Sequence, residues 1–379
     1  MTLDPPFPWF GGKSRVAADV WARFGDVANY VEPFFGSGAV LLGRSVPVRG
    51  NETINDLDGF VANFWRAVKH APDEVAQHAD NPVNENDLHA RHVWLVTQTE
   101  TLRARLEGDP EYHDVKIAGW WAWGIACWIG SGFCSGNGPW RINETGQLVH
   151  LGSNGQGVNR QLVHLRNNGQ GVNRQLVHLR NSGQGVNRKL VHLGNNGRGV
   201  NRKLVHLGDN GRGVNRKRVH LGNNGRGKSQ SRLTQWFNAL AERLRRVRVC
   251  SGDWSRVCGP SVTFKHGLTG VFLDPPYADT AERASNLYRT DDDQIAHAVR
   301  EWAIANGENP LLRIALCGYE GEHVMPASWD VQAWKAHGGY AAQGHEPSDN
   351  CRRERIWYSP ACLPAVKRGT LDLFGARNG

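Results

Sequence analysis

The tetrapeptide Asp274-Pro275-Pro276-Tyr277 puts a carboxylate, a stiffened backbone and an aromatic ring side by side, directly after the apolar run Val271-Phe272-Leu273. These residue types suit the activation of an exocyclic amine on a nucleobase. Such an amine is a poor nucleophile, because its lone pair delocalises into the ring. Two fixed acceptors, the Asp274 carboxylate and the Pro275 carbonyl, would draw the nitrogen toward tetrahedral geometry and free that lone pair. Pro275 and Pro276 hold the backbone stiff, so the acceptors are preset. Tyr277 can stack on the base. A base in duplex DNA must be flipped out to reach a pocket of this kind.

A second constellation is Tyr30-Val31-Glu32-Pro33-Phe34-Phe35-Gly36-Ser37-Gly38. It reads as a strand feeding a glycine turn and then a helix. Gly36 and Gly38 carry no side chain to block a ligand lying against backbone, and the helix start offers N–H groups to a polar ligand. Asp56 lies 20 residues beyond Gly36, at the end of the next expected strand. That spacing suits a carboxylate accepting from ribose hydroxyls. A glycine turn alone also serves as a packing turn in many α/β proteins. The third motif, Pro8-Trp9-Phe10-Gly11-Gly12-Lys13, is by itself a turn with a basic residue.

The elements that must position these groups follow from hydrophobic spacing. Strands are expected at Tyr30–Glu32, Glu52–Asn55, Gly270–Leu273 and Leu312–Leu316. Helices are expected at Ala39–Arg44, Asp58–His70 (with Phe60, Phe64 and Val68 on one face), residues 85–130 and Asp291–Asn306. Gln230–Arg248 reads as a basic amphipathic helix with Leu233, Phe237, Leu240 and Leu244 on its apolar face. Strands alternating with helices predict an α/β fold, a Rossmann-like sheet with helices on both faces, interrupted by a long insertion. The expected division is a first catalytic part over residues 1–70, an inserted region over 71–228 and a second catalytic part over 229–379. Within the insertion, 71–145 reads as helical and 146–227 as repeats.

The repeats have a period of 14 residues over six copies, marked by LVHL at Leu148, Leu162, Leu176, Leu190 and Leu204 and by RVHL at Arg218. Asn-Gly or Ser-Gly pairs close the units, which predicts one short strand and one tight turn per unit. Such units could stack as a β-solenoid or fold as a meander. Their thin apolar content leaves a mobile insert as the other outcome. The segment Leu148 to Gly227 holds 14 Lys and Arg against one acidic residue, Asp209, so it carries +13 of a chain total of +9 and leaves −4 elsewhere. That concentration points to a polyanionic partner. Arg160, Arg174, Arg188, Arg202 and Arg216 recur at one position of the unit and form the candidate row of phosphate contacts. The repeat histidines come without carboxylate partners, which favours a solvated strand face over a metal ladder.

Seven cysteines with no C-x-x-C pair predict reduced thiols and no metal site. Mean hydropathy is −0.51, and the most apolar stretch, Ile117 to Ile129, is too short to span a bilayer. A cytoplasmic location is expected, with no membrane partner.

In their order, the three motifs resemble the Dam-type class of DNA adenine-N6 methyltransferases, particularly phage and prophage forms. The resemblance covers about residues 5–145 and 228–362 and excludes the 14-residue array. It implies S-adenosyl-L-methionine as cofactor and methyl transfer to adenine in double-stranded DNA. It also implies roles. Trp9 and Lys13 would contact the cofactor, and the turn with Glu32, Phe34, Gly36 and Gly38 would bind it. Asp56 would hold its ribose, and Asp253-Trp254 would sit beside its adenine. Asp274 would bridge cofactor and target amine. The family's order places target recognition between the glycine turn and DPPY, where the insertion falls. The stretch Gly119 to Trp140 resembles the lead into a recognition domain, while Trp120, Trp121 and Trp123 read as core. A companion restriction endonuclease and a monomer or dimer complete the expectation. Two alternatives stay open: methylation of cytosine N4, which the same acceptors would serve, and a catalytically inactive DNA-binding protein.

Overall fold

The computed structural model describes residues 3–9, 12–44, 46–128, 133–134, 140–142, 148–150, 226–277, 294–334 and 353–365. Its centre is a seven-stranded sheet in the order β5-β2-β1-β6-β7-β9-β8. The strands are β1 (Asn29–Glu32), β2 (Glu52–Asp56), β5 (Val247–Ser251), β6 (Thr269–Leu273), β7 (Leu312–Tyr319), β8 (Asp330–Ala333) and β9 (Glu354–Tyr358). The first five in spatial order run parallel, and β9 is antiparallel to both β7 and β8. β1 and β6 pair in register, with Val31 opposite Val271. From β1 the chain progresses outward to β2 and β5, and from β6 outward to β7. The crevice at the carboxyl ends of β1 and β6 is therefore the topological switch point, where open α/β sheets hold ligands.

Side chains alternate across this sheet with period two. Tyr30, Phe272, Ala315 and Cys317 face one buried cluster, while Val31, Val271, Leu273, Ile314 and Leu316 face the other. The larger cluster is covered by α1 (Ala17–Phe24), α2 (Ala39–Leu42), α3 (Gly59–His70), α4 (Pro72–Ala79), α5 (Glu85–Gly108), α6 (Val115–Cys127) and α7 (Arg226–Leu244); α8 (Ile295–Asn306) packs on the smaller. Asp58 caps α3 by accepting from the Phe60 N–H at 2.9 Å. The expected helix over 85–130 is two helices, each with its own polar cap: Asn84 accepts from Asp87 N–H and Asp114 from Ile117 N–H. Trp121 meets Phe7 at 4.8 Å and Phe64 at 6.0 Å between ring centroids. Helices α4 to α6 thus share one apolar interior with the sheet. Trp121 and Trp123 are core, as their size suggests, but Trp120 is half-buried and edge-on to Trp94.

Helix α7 buries Leu233, Phe237, Leu240 and Leu244 completely. It ends at Leu244, short of the expected Arg248. The following Val-Arg-Val-Cys-Ser pairs with β2 as an edge strand instead, because its β-branched alternation fits a pleated surface better than another helical turn. From the last turn of α7, Arg243 reaches Glu52 on β2 with two bonds of 2.6 and 2.8 Å, both groups being nearly sealed from solvent. Removing one partner of such a pair strands a buried charge. Arg243→Met is expected to lower stability by about 3–5 kcal/mol in urea unfolding, and the double change Glu52→Leu/Arg243→Met to recover most of it.

A separate antiparallel hairpin joins β3 (Trp140–Ile142) to β4 (Leu148–His150). β4 is the first LVH of the repeat. The remaining units, including Arg160, Arg174, Arg188, Arg202 and Arg216 and the expected solenoid or meander, lie outside the described residues. Among the described residues, no helix is long and apolar enough to cross a membrane.

Candidate active site

β1 ends at Glu32, and the chain turns through Gly36 and Gly38 at φ of 48° and 71°. These are left-handed values that glycine accepts without strain. At Gly36 the requirement is also steric. A Cβ there would stand 2.3 Å from Nε1 of Trp9, whose indole lies over the turn. The turn is pinned from the neighbouring strand. The Gly36 N–H donates to Asp56 Oδ2 at 2.9 Å, and the Phe35 N–H donates to the Asn55 carbonyl at 3.0 Å. The Trp65 indole N–H donates to the Gly36 carbonyl at 2.9 Å. Asn55 Nδ2 donates to the carbonyls of Pro33 and Gly252 at 3.1 and 2.8 Å, tying together the loops after β1 and β5. Asp56 Oδ1 accepts from the Asp58 N–H at 2.8 Å. Both Asp56 oxygens therefore order the backbone around the cleft.

An open cleft lies at the ends of β1, β2 and β6. Trp9, Lys13, Glu32, Phe34, Gly36 and Asp56 line it, and Asp274 and Pro276 close it from the β6 side. Of the expected residues, Pro275 and Tyr277 do not line it, nor do three expected at the cofactor. Gly38 packs under the turn against Phe35 and Trp65. Trp254 stacks on Phe34 with ring centroids 6.2 Å apart at 28°. Asp253 is exposed and caps the short 3-10 turn Trp254–Val257 by accepting from the Ser255 N–H at 2.9 Å. Phe10 and Gly11 lie outside the described residues.

Asp274 follows β6 directly, half-buried, with Pro275 buried behind it. Lys13 Nζ lies 2.8 Å from Asp274 Oδ1 and donates to the Tyr277 hydroxyl at 3.1 Å. Lys13 is almost wholly buried. Burial by itself would lower its ammonium, but the Asp274 and Glu354 carboxylates more than offset this and hold it above the ordinary lysine range. The Tyr277 hydroxyl donates to Glu354 Oε2 at 2.8 Å, and its ring meets Tyr319 edge-on at 4.6 Å. In this conformation the Tyr277 hydroxyl points inward, among charges. Burial, then the nearby Glu354 and Asp274, push it well above the usual phenol range. Glu32 accepts from the Tyr30 hydroxyl at 2.8 Å; burial raises its carboxyl, and that bond only partly opposes the shift.

The residues that sequence reasoning missed are Asn55, Trp65 and Glu354. Glu354 lies in the phrase Arg-Arg-Glu-Arg-Ile-Trp-Tyr, where a glutamate among arginines looks solvent-facing. Only the pairing of β9 with β7 carries it inside.

The site can present a backbone cradle with carboxylates at one end and a half-buried acid at the other. Residues 9–107 match the model of the D12 class N6 adenine-specific DNA methyltransferase family. A comparison with curated proteins finds no match.

Proposed function

We propose, on the premise that this chain is an adenine-specific DNA methyltransferase using S-adenosyl-L-methionine, that the cleft between β1 and β6 holds the cofactor and that Asp274 and Pro275 receive the target amine. The observation that carries this reading is placement. Gly36 and Asp274 follow the ends of two adjacent parallel strands and line one cleft. The residues fit the cofactor. The bare Cα of Gly36 lets the Trp9 indole close over the turn, and the Asp56 and Asp58 carboxylates line the cleft at the end of β2, where ribose hydroxyls need acceptors. Trp9 covers the turn, and Phe34 backed by Trp254 gives an aromatic wall for an adenine ring.

When bound, the cofactor supplies an electrophilic methyl carbon on a sulfonium. The chain's own residues do the rest. Asp274 and the Pro275 carbonyl accept from the target amine and align its lone pair, which lowers the barrier by positioning and by preset electrostatics. Lys13 fixes the Asp274 carboxylate in place. Lys13, Asp274 and Glu354 together carry one net negative charge when both acids are ionised, which complements a cationic centre. No covalent enzyme nucleophile is needed.

Digestion of treated DNA to nucleosides tests the reading. N6-methyladenine is the expected product. N4-methylcytosine would transfer the same geometry to cytosine, and DNA binding without cofactor consumption would favour an inactive binding protein.

The insertion, residues 71–228, is assigned to target recognition, with the Arg160, Arg174, Arg188, Arg202 and Arg216 row running along phosphates. If each of these arginines meets one phosphate, deleting two units weakens DNA binding and lowers the slope of log affinity against log salt by about 2. Anisotropy titrations over a salt series would measure it. An altered target sequence would mean that the array reads bases, and unchanged binding would make it a passive insert.

A further inference from the structure

We propose that Glu354 is a positioning residue for methyl transfer: it accepts the Tyr277 hydroxyl's hydrogen bond and shares a part of the Lys13 charge, leaving the Asp274 carboxylate available to the target amine. The proposal rests on the role given to Asp274 above.

Tyr277 has one hydroxyl proton and two carboxylates within reach. Glu354 Oε2 is 2.8 Å away and Asp274 Oδ1 is 3.3 Å away. The shorter bond goes to Glu354. The phenol oxygen meanwhile faces Lys13 Nζ at 3.1 Å, so its lone pair is spoken for and its proton has one good direction. Lys13 Nζ also lies 4.0 Å from Glu354 Oε2, so its charge is divided between two acids. Without the Glu354 acceptor, the Tyr277 proton would turn to Asp274 Oδ1, which already receives Lys13 at 2.8 Å. A carboxylate holding two strong donors accepts less well from a weakly polar amine.

The sheet does not require an acid here. Lys13 and Asp274 are already a matched pair, and burying a second carboxylate is unfavourable unless it is used. Glu354 is 4 % exposed, in the interior strand β9 between β7 and β8. Burial pushes its carboxyl up, and Lys13 pulls it back toward the ionised form. Its backbone carbonyl accepts from the Trp334 N–H at 3.2 Å, so the strand holds the side chain in register with Tyr277.

The experiment compares Glu354→Leu and Glu354→Gln with the unaltered chain, in single-turnover methyl transfer to DNA and in equilibrium titration of S-adenosyl-L-methionine. Glu354→Leu removes both acceptor and charge and is expected to slow transfer about 10-fold or more, while cofactor affinity stays within about twofold. Glu354→Gln keeps a carbonyl acceptor and is expected to lose less, about threefold. In a Tyr277→Phe background, Glu354→Leu should add no more than about twofold, because the proton it controls is gone. Equal losses in both backgrounds would overturn the proposal, as would a parallel loss of cofactor affinity. Should Glu354→Leu fail to fold, a Glu354→Gln variant with the full transfer rate would overturn it. If the unaltered chain forms no N6-methyladenine, the underlying functional reading fails. If it does and Glu354→Leu keeps its rate, the proposal alone fails.

Discussion

Asp274→Asn is expected to cut single-turnover methyl transfer by about 1,000-fold or more, roughly 4 kcal/mol of barrier, while leaving the protein folded. Asparagine keeps the volume of aspartate and one carbonyl acceptor for Lys13, so the shape of the turn after β6 survives. It removes the charge that would orient the target amine and face the cationic methyl donor. Asp274→Ala is the harsher change, since it would leave buried Lys13 with Glu354 at 4.0 Å as the nearer remaining acid. Circular dichroism and urea unfolding would separate the two effects. Asp274→Asn should lower the unfolding midpoint less than Asp274→Ala does, because Lys13 keeps a carbonyl acceptor and Glu354, and cofactor affinity should change by only a few-fold. A variant retaining a tenth or more of the transfer rate would remove Asp274 from the reaction and leave the cleft as a binding site alone.

Gly36→Ala is expected to weaken S-adenosyl-L-methionine binding by about 100-fold, close to 2.7 kcal/mol, when measured by calorimetric titration. Two causes act together. Alanine at a φ of 48° pays for the left-handed region by about 1–2 kcal/mol. Its Cβ would also collide with the Trp9 indole, 2.3 Å away, and push aside the roof of the cleft. The same change at Gly321, whose φ is 84° with nothing within 4 Å of an added Cβ, provides the control for backbone strain alone. Equal cofactor affinity in Gly36→Ala and the unaltered chain would place the cofactor elsewhere.

The parts of this site visible in the sequence were those fixed by local chemistry. Asp274-Pro275-Pro276-Tyr277 announces itself because two prolines after an apolar strand have few other uses. The turn at Gly36 and the acid at Asp56 follow from a spacing that a strand, a turn, a helix and a second strand dictate. Leu233, Phe237, Leu240 and Leu244 mark α7 because one face of a helix must be apolar to be buried. The hidden parts depend on pairing between distant segments. β5 was masked by the helix before it, since five residues of alternation are too few to outweigh nineteen of helical pattern. Helix α1 is only eight residues long and carries no capping side chain, so nothing local marked it. Asn55 gained its meaning from carbonyls at Pro33 and Gly252, and Trp65 from the carbonyl at Gly36. Glu354 looked like any surface glutamate until β9 slid between β7 and β8.

That late strand has a consequence for how the protein comes into being. Residue 13 leaves the ribosome long before residue 354, yet they meet in one charged cluster. β8 is made before β9, but among the described residues its only sheet neighbour is β9. A nascent chain can therefore lay down the turn after β1 and most of the core while the cluster around Lys13 still lacks Glu354 and β8 and β9 are still unpaired. On the proposed reading, the charged cluster is complete only once β9 has entered between β7 and β8.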